Sequence, residues 1–140
     1  MYNKLYQLLR YTNRQEWLTQ KYMHEFESNQ WLSQEALNEV SWNMLKKLLN
    51  HAYANVPFYK EHFRKLGITP QDITTGEDFR QFPFLTKEDI RKNPDDLIAK
   101  NYDKNQMKSK ATSGSTGIPL ILYRDLDYNS AKGDRSVYGI

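Results

Sequence analysis

The chain has 140 residues, with 20 Lys and Arg against 17 Asp and Glu, so 20 − 17 gives a formal net charge of +3. This length fits one domain at most, and the absence of cysteine excludes disulfides and thiolate chemistry. The sequence has no apolar run long enough for a transmembrane helix, no secretory signal pattern and no basic stripe for nucleic acid or an anionic membrane, so we expect a cytoplasmic protein.

The first third of the chain is predicted to be helical, because no proline precedes Pro57 and no glycine precedes Gly67. The apolar spacing predicts a short helix over residues 3–11 and a second helix from about Gln15 to Glu27.

The clearest predicted helix begins after Ser33, a good N-cap residue. It ends before Val56 and Pro57, because a residue that precedes proline avoids the α region. Its apolar residues follow a helical stripe that we expect to face the core: Leu37, Val40, Met44, Leu45, Leu48 and Ala52.

Shorter elements are predicted over the next fifty residues or so. A helix from about Phe58 to Leu66 is closed by Gly67, a plausible left-handed C-terminal residue. Turns follow at Thr69–Ile73 and Glu77–Gln81, then a helix after the capping-box pattern of Thr86–Asp89. Residues 100–107 are expected to be a polar loop.

The pattern changes near Lys108, where two short strands are predicted around a turn of small residues. The strands are residues 108–112 and 120–123, and Asp125 can cap a final helix. We therefore expect a helical region over 1–107, followed over 108–140 by the start of an α/β subdomain.

The turn between these strands, TSGSTGIPL over residues 112–120, is the most informative segment. Its glycines permit positive φ, so successive backbone N–H groups can form a concave anion nest, and its hydroxyl side chains add donors suited to nucleotide phosphates. It is not a Walker A loop, because that spacing and its lysine are absent. Its composition also fits an ordinary hairpin loop, since Ser, Thr and Gly are common turn formers.

Residues 112–119 resemble the phosphate-binding loop of the adenylate-forming enzymes, although Leu120 replaces the lysine that usually follows. Three further segments resemble the phenylacetate–CoA ligase branch, which includes adenylate-forming proteins of capsular polysaccharide clusters: LLNHAY with NVPFY over 48–59, DF to Pro83, and LTKEDIR over 85–91. The segment ILYRD over 121–125 also fits that branch, and the resemblance covers about residues 33–140.

The resemblance implies a ligase with an α/β parent fold that adenylates a small-molecule carboxylate with ATP and Mg²⁺, then forms a thioester with coenzyme A. It implies a phosphate-binding role for Thr112, Ser113, Gly114, Ser115, Thr116 and Gly117. No residue is assigned a catalytic role or a metal-binding role, because His24, His51 and His62 lack metal-ligand spacing. His51 is expected to pack or to form hydrogen bonds.

Two interpretations of the whole chain stay open at this point. Enzymes of this kind are much longer, so the first is an incomplete, N-terminal piece of a ligase that is inactive alone and whose partner is the missing remainder. The second is a non-catalytic helical module in which residues 1–66 dock to a partner or to the rest of the enzyme.

Overall fold

The computed structural model describes residues 14–112 and 119–125. These ranges are mainly helical, with one small antiparallel sheet of two strands. The helices are α1 (Arg14–Asn29), α2 (Gln34–Asn55), α3 (Pro57–Leu66), α4 (Gly76–Phe79) and α5 (Lys87–Lys92), with 3₁₀ turns at Pro70–Asp72 and Lys104–Gln106, and the strands are β1 (Lys108–Ala111) and β2 (Ile121–Arg124). The helices predicted over 3–11 and after Asp125 lie outside the described residues.

Local signals set the ends of the long helices, and the three predicted helices that correspond to α1, α2 and α3 are confirmed. The Ala36 amide donates a hydrogen bond to Ser33 Oγ over 3.3 Å at the start of α2. Pro57 opens α3 after an extended Val56, and Gly67 closes it at φ 68°. Such a left-handed residue at a helix end is most readily glycine.

A small apolar core joins α2, α3 and the turn after Pro70. Leu49, Phe63 and Ile73 are buried in it. Phe63 forms edge-to-face contacts with Tyr53 and Phe82, with ring centroids 5.2 and 4.5 Å apart. We call this cluster the aromatic core, because these ring contacts lie within it.

The prediction that the Leu37–Ala52 stripe faces the core is wrong in part. Leu45 packs against the core, but Met44 is 55% exposed and Leu48 62% exposed. The buried face of α2 follows the same helical spacing shifted along the chain: Trp42, Leu45, Leu49 and Tyr53. Both faces of the helix carry apolar residues, so the position of α3 and Ile73, rather than the pattern, decides which face is covered.

Three Thr–Asp capping boxes organise the short turns between residues 69 and 92. The pairs are Thr69 with Asp72, Thr75 with Asp78, and Thr86 with Asp89. The capping box predicted at Thr86 is therefore confirmed.

The prediction of a plain polar loop over 100–107 needs correction, because this segment contains the 3₁₀ turn Lys104–Gln106. Asp103 starts this turn by accepting a hydrogen bond from the Asn105 amide over 2.9 Å. A short Asp side chain readily satisfies a backbone donor in this way.

The chain divides into two compact units, residues 38–123 and residues 1–37 with 124–140. The unit of residues 38–123 contains the aromatic core. In the other unit, Leu18 of α1 is buried. The predicted boundary between 1–107 and 108–140 stays a prediction. Within the described ranges, no helix is long and apolar enough to cross a membrane.

Candidate functional site

The two strands meet at Thr112 and Leu120, which stand at the two ends of the predicted phosphate loop. The Thr112 amide donates to the Leu120 carbonyl oxygen over 2.9 Å. The Leu120 amide donates in return to Thr112 Oγ1 over 3.0 Å. This pair of bonds closes the base of the loop, because it holds the residue after β1 against the residue before β2.

Of the six residues predicted to bind phosphate, the structure describes Thr112. Ser113, Gly114, Ser115, Thr116 and Gly117 lie outside the described residues. Thr112 is exposed, and its hydroxyl oxygen already accepts the Leu120 amide. A hydroxyl that accepts one bond still has its proton to donate, so the Thr112 side chain can form a second hydrogen bond beside its structural one.

Positive charge near the loop base comes from β1 and from the preceding turn. Lys108 and Lys110 on β1 are exposed. Lys104 is held in place instead, because its Nζ lies 2.6 Å from Asp95 Oδ1 and 4.9 Å from the centroid of the Tyr123 ring on β2. The hydrogen bond that Lys104 donates to Asp95, more than any other contact, raises the pKa of Lys104.

Sequence reasoning missed Lys104. Its partners are far from it along the chain, since Tyr123 lies on the strand beyond the loop. No local spacing signals such a contact, whereas the Thr86–Asp89 capping box lies within four residues and was predicted from the sequence.

The rings of His51 and His62 take part in aromatic contacts and hydrogen bonds. His51 Nδ1 lies 3.3 Å from the Asn55 side-chain nitrogen, and its ring is 6.2 Å from that of Tyr102. His62 Nδ1 donates to the Phe58 carbonyl oxygen over 2.8 Å, and the two rings are 4.3 Å apart. In the described part of the chain, no group of three His, Cys, Asp or Glu side chains could hold a metal ion.

A cavity of about 510 Å³ lies beside α3 and carries three cationic side chains, Lys60, Arg64 and Lys100. The Arg64 guanidinium also lies 2.6 Å from Glu61 Oε1 on the same helix, so part of the positive charge beside this cavity is paired. The hydrogen bond from Arg64 is also the main cause that lowers the pKa of Glu61. The loop between β1 and β2 stays the candidate phosphate site because its sequence carries the glycine and hydroxyl residues that an anion nest uses.

Comparison with known proteins identifies relatives of this chain. No family model matches the chain. The chain is 37% identical over 100 residues to a phenylacetate–coenzyme A ligase of Pseudomonas putida, a match that covers 70% of this chain and 23% of the ligase. It is 37% identical over 91 residues to a phenylacetate–coenzyme A ligase of Escherichia coli strain K12, covering 64% of this chain and 21% of that protein.

The chain is a relative of the phenylacetate–coenzyme A ligases. This confirms the family resemblance predicted from its motifs. The Staphylococcus aureus protein CapK is also similar, at 34% identity over 87 residues, covering 62% of this chain and 19% of CapK. The chain spans about a fifth of the length of the curated relatives it matches.

Proposed function

We propose that the chain is part of an ATP-dependent, AMP-forming acid–coenzyme A ligase, in which residues 112–117 hold the phosphates of ATP. The observation that carries the proposal is the hydrogen-bonded closure of this loop by Thr112 and Leu120 in a chain related to phenylacetate–coenzyme A ligases. These bonds fix the two ends of the loop, and an anion nest is formed by successive backbone N–H groups of such a turn.

The proposed chemistry has two steps. The substrate carboxylate attacks the α-phosphorus of ATP, which forms an acyl-adenylate and releases pyrophosphate. The thiol of coenzyme A then attacks the acyl carbon, which forms the thioester and releases AMP. The loop contributes to the first step by positioning the β- and γ-phosphates and stabilising their charge, with Mg²⁺ supplying further charge neutralisation.

The residues at the loop base fit this role with one difference from the usual motif. Leu120 stands where lysine is common, so one cationic contact is missing, and its side chain is buried instead. Lys108 and Lys110 precede the loop and we assign them no contact with phosphate.

We also propose that the parent fold is α/β and that the described hairpin belongs to a larger sheet. All four residues of β1 are exposed. An isolated hairpin of two strands is marginally stable in water, so further strands would explain why this one forms.

We propose that the substrate is a small carboxylic acid, either an arylacetate or an acid linked to a capsular polysaccharide pathway. We propose coenzyme A as the acceptor and the cytoplasm as the location. Because most of a ligase is outside this sequence, we also propose that the chain alone is inactive.

A titration followed by NMR tests the role of the loop. We expect magnesium tripolyphosphate and MgATP to shift the amide resonances of residues 112–120 in the isolated chain, and adenosine to leave them unchanged. The loop variant T116A should weaken the response, whereas T19A on α1 should not. Equal shifts with adenosine, or none with tripolyphosphate, would contradict the proposal.

A second candidate function is a helical docking module without catalysis. The exposure of Met44 and Leu48, both apolar residues of α2, favours it. The two functions are compatible, since a piece of a ligase must also dock to the rest of the enzyme.

A further inference from the structure

Lys104 joins parts of the chain that are far apart in sequence. Its Nζ donates a hydrogen bond to Asp95 Oδ1 over 2.6 Å and lies 4.9 Å from the centroid of the Tyr123 ring. Asp95 follows α5, Lys104 lies in the 3₁₀ turn before β1, and Tyr123 lies on β2. A cation within about 6 Å of an aromatic ring centroid is attracted to the ring, so the ammonium group binds both partners at once.

The segment that carries Asp95 is anchored to the helices. The Phe58 amide of α3 donates to the Asp96 carbonyl oxygen over 3.0 Å, and the Lys100 amide donates to the Asn55 carbonyl oxygen at the end of α2 over 2.8 Å. All of these residues belong to the compact unit that contains the aromatic core. The Asp95 carboxylate is therefore attached to the helical part of that unit.

The other partner of Lys104 lies on the strand that leaves the phosphate loop. Tyr123 follows three residues after Leu120, whose bonds with Thr112 close the loop. The sheet that carries this loop has two strands, and an isolated hairpin of that size is marginally stable in water. A contact between β2 and the helical part therefore helps to decide where the closed base of the loop lies.

The exposure of the ion pair indicates which property this contact controls. The Lys104 and Asp95 side chains are 45% and 78% exposed, and an exposed pair adds little to stability. The two residues are nine positions apart and lie outside any common helix, so their contact constrains the path of the chain. We expect the contact to affect the position of β2 more than the free energy of unfolding.

We propose that Lys104 is a positioning residue of the phosphate loop, which fixes β2 and the closed base of the loop to the segment that carries Asp95. The proposal rests on the proposed function of the loop. Lys104 acts through Tyr123 and makes no contact with phosphate, because its ammonium group stays with Asp95.

Removal of Asp95 separates this role from simple attraction between charges. D95A makes the net charge more positive and releases Lys104, so charge attraction, or direct contact of Lys104 with phosphate, predicts tighter binding of magnesium tripolyphosphate. Loss of positioning predicts weaker binding, and we expect the dissociation constant to rise about two- to fivefold, the equivalent of one exposed cation–π contact. The NMR titration of the loop amides measures it with the whole chain.

The matched control for this titration is D96A. It removes the same charge from the adjacent exposed side chain and leaves the Asp95 carboxylate in place. Its backbone carbonyl, which accepts the Phe58 amide, is also retained. D96A should bind tripolyphosphate no more weakly than the unaltered chain.

Substitution of Lys104 gives a second measurement that needs no ligand. K104M keeps a long side chain without the ammonium group, so the Leu120 amide should exchange its hydrogen about two- to fivefold faster. K104R keeps a cation and should restore protection, whereas K108M, which removes an exposed cation from β1, should leave the exchange unchanged. Thermal unfolding should be the same in K104M and K108M, which distinguishes positioning from a general loss of stability.

Two results would overturn the proposal. One is binding by D95A that is equal to or tighter than binding by D96A, and the other is equal exchange of the Leu120 amide in K104M and K108M. Failure of the proposed function is read separately. If the unaltered chain does not bind tripolyphosphate, the phosphate role is lost, whereas the exchange of the Leu120 amide still reports whether Lys104 holds the base of the loop.

Discussion

Thr112 is the residue whose role changes most once the structure is considered. Its motif predicts a phosphate ligand, but its hydroxyl oxygen accepts the Leu120 amide and its own amide donates to Leu120. Thr112 therefore positions the loop first, and any contact with phosphate uses the donor function that remains.

This role of Thr112 predicts a difference between two substitutions. T112V keeps the shape but loses the acceptor, so the partly buried Leu120 amide should exchange its hydrogen about two- to tenfold faster, the equivalent of one net hydrogen bond. T112S keeps the hydroxyl and should preserve protection. Hydrogen exchange followed by NMR measures both, and equal rates in T112V and the unaltered chain would contradict the positioning role.

Asp78 shows how a single carboxylate can organise a turn. Its Oδ2 accepts the amides and hydroxyls of Thr74 and Thr75 over 2.8–3.0 Å. The Thr75 hydroxyl, followed by the two amides, lowers the pKa of Asp78 below its ordinary value. Bonds to the charged form always act in this direction.

We expect the stability that Asp78 provides to depend on pH. Because folding lowers its pKa, the contribution is fully present above the unfolded-state pKa and is lost as the pH falls through the folded-state pKa. The difference in free energy of unfolding between the unaltered chain and D78N should therefore shrink from neutral pH to about pH 3. Urea titrations across this range measure it, and a constant difference would rule out the ionised carboxylate as the cause.

At the scale of elements, the packing of α2 predicts different effects for two adjacent leucines, of which Leu49 is buried and Leu48 is exposed. L49A should destabilise the chain by about 2–5 kcal/mol, because it leaves a cavity against Phe63 and Ile73. The adjacent L48A removes an exposed side chain and should change stability by no more than about 0.5 kcal/mol. Urea unfolding followed by circular dichroism measures the stability of both variants. Similar losses of stability in L48A and L49A would mean that the side of α2 that carries Leu48 is already packed.

Gly67 ends α3 through backbone geometry alone. Its amide donates to the Arg64 carbonyl and the Ile68 amide to that of Phe63, each over 3.2 Å, while its φ is 68°. The φ requirement, not space, selects glycine, because an added Cβ would have no atom within 4 Å.

G67A should therefore cost about 1–2 kcal/mol, the penalty for a side chain in the left-handed region. G76A is the matched control, because an added Cβ there also meets nothing and its φ is not in that region. It should be neutral or slightly stabilising. Thermal unfolding measures both, and equal effects would show that the helix end tolerates another conformation.

The element ends could be predicted from sequence because their causes lie within a few residues of each other. Ser33, Pro57, Gly67 and the box at Thr86 each fix a boundary through a local bond or a restricted φ. The buried face of α2 could not be predicted, because both of its sides are apolar and the choice depends on α3. The contact of Lys104 with Asp95 and Tyr123 could not be predicted either, because it also depends on residues that are distant along the chain.

The loop between β1 and β2 shows both what a sequence motif can predict and what it cannot. The loop motif, together with the upstream segments over 48–59 and 85–91, predicted the family, and the phosphate-binding role of the loop stays a prediction. The bonds between Thr112 and Leu120 could not be read from that spacing, since they depend on the register of β1 against β2.

At the scale of the whole molecule, packing rather than charge holds the described part together. Its ion pairs, such as Arg64 with Glu61 and Lys92 with Glu88, join exposed side chains. Exposed pairs contribute little to stability. The aromatic core is small, and large apolar side chains such as Leu48 and Phe84 are exposed. Exposed apolar side chains of this kind are expected in part of a larger assembly.

This architecture predicts that the isolated chain does not catalyse carboxylate adenylation. The reaction requires several charged and polar groups to converge on the α-phosphate and the carboxylate, and the matched span is about a fifth of the curated relatives. The described residues close the base of one loop. We therefore expect no ATP–pyrophosphate exchange above the level without protein.

An exchange assay with radiolabelled pyrophosphate, arylacetic acids and MgATP measures this, with the intact Escherichia coli ligase as positive control. Exchange that depends on the acid, runs at ordinary enzyme rates of about 1 s⁻¹ or more and is lost in T116A would contradict the prediction. It would mean that a closed phosphate loop and its two strands suffice for adenylation. Exchange that persists unchanged in T116A would point instead to a contaminating ligase, because the activity would not depend on the loop.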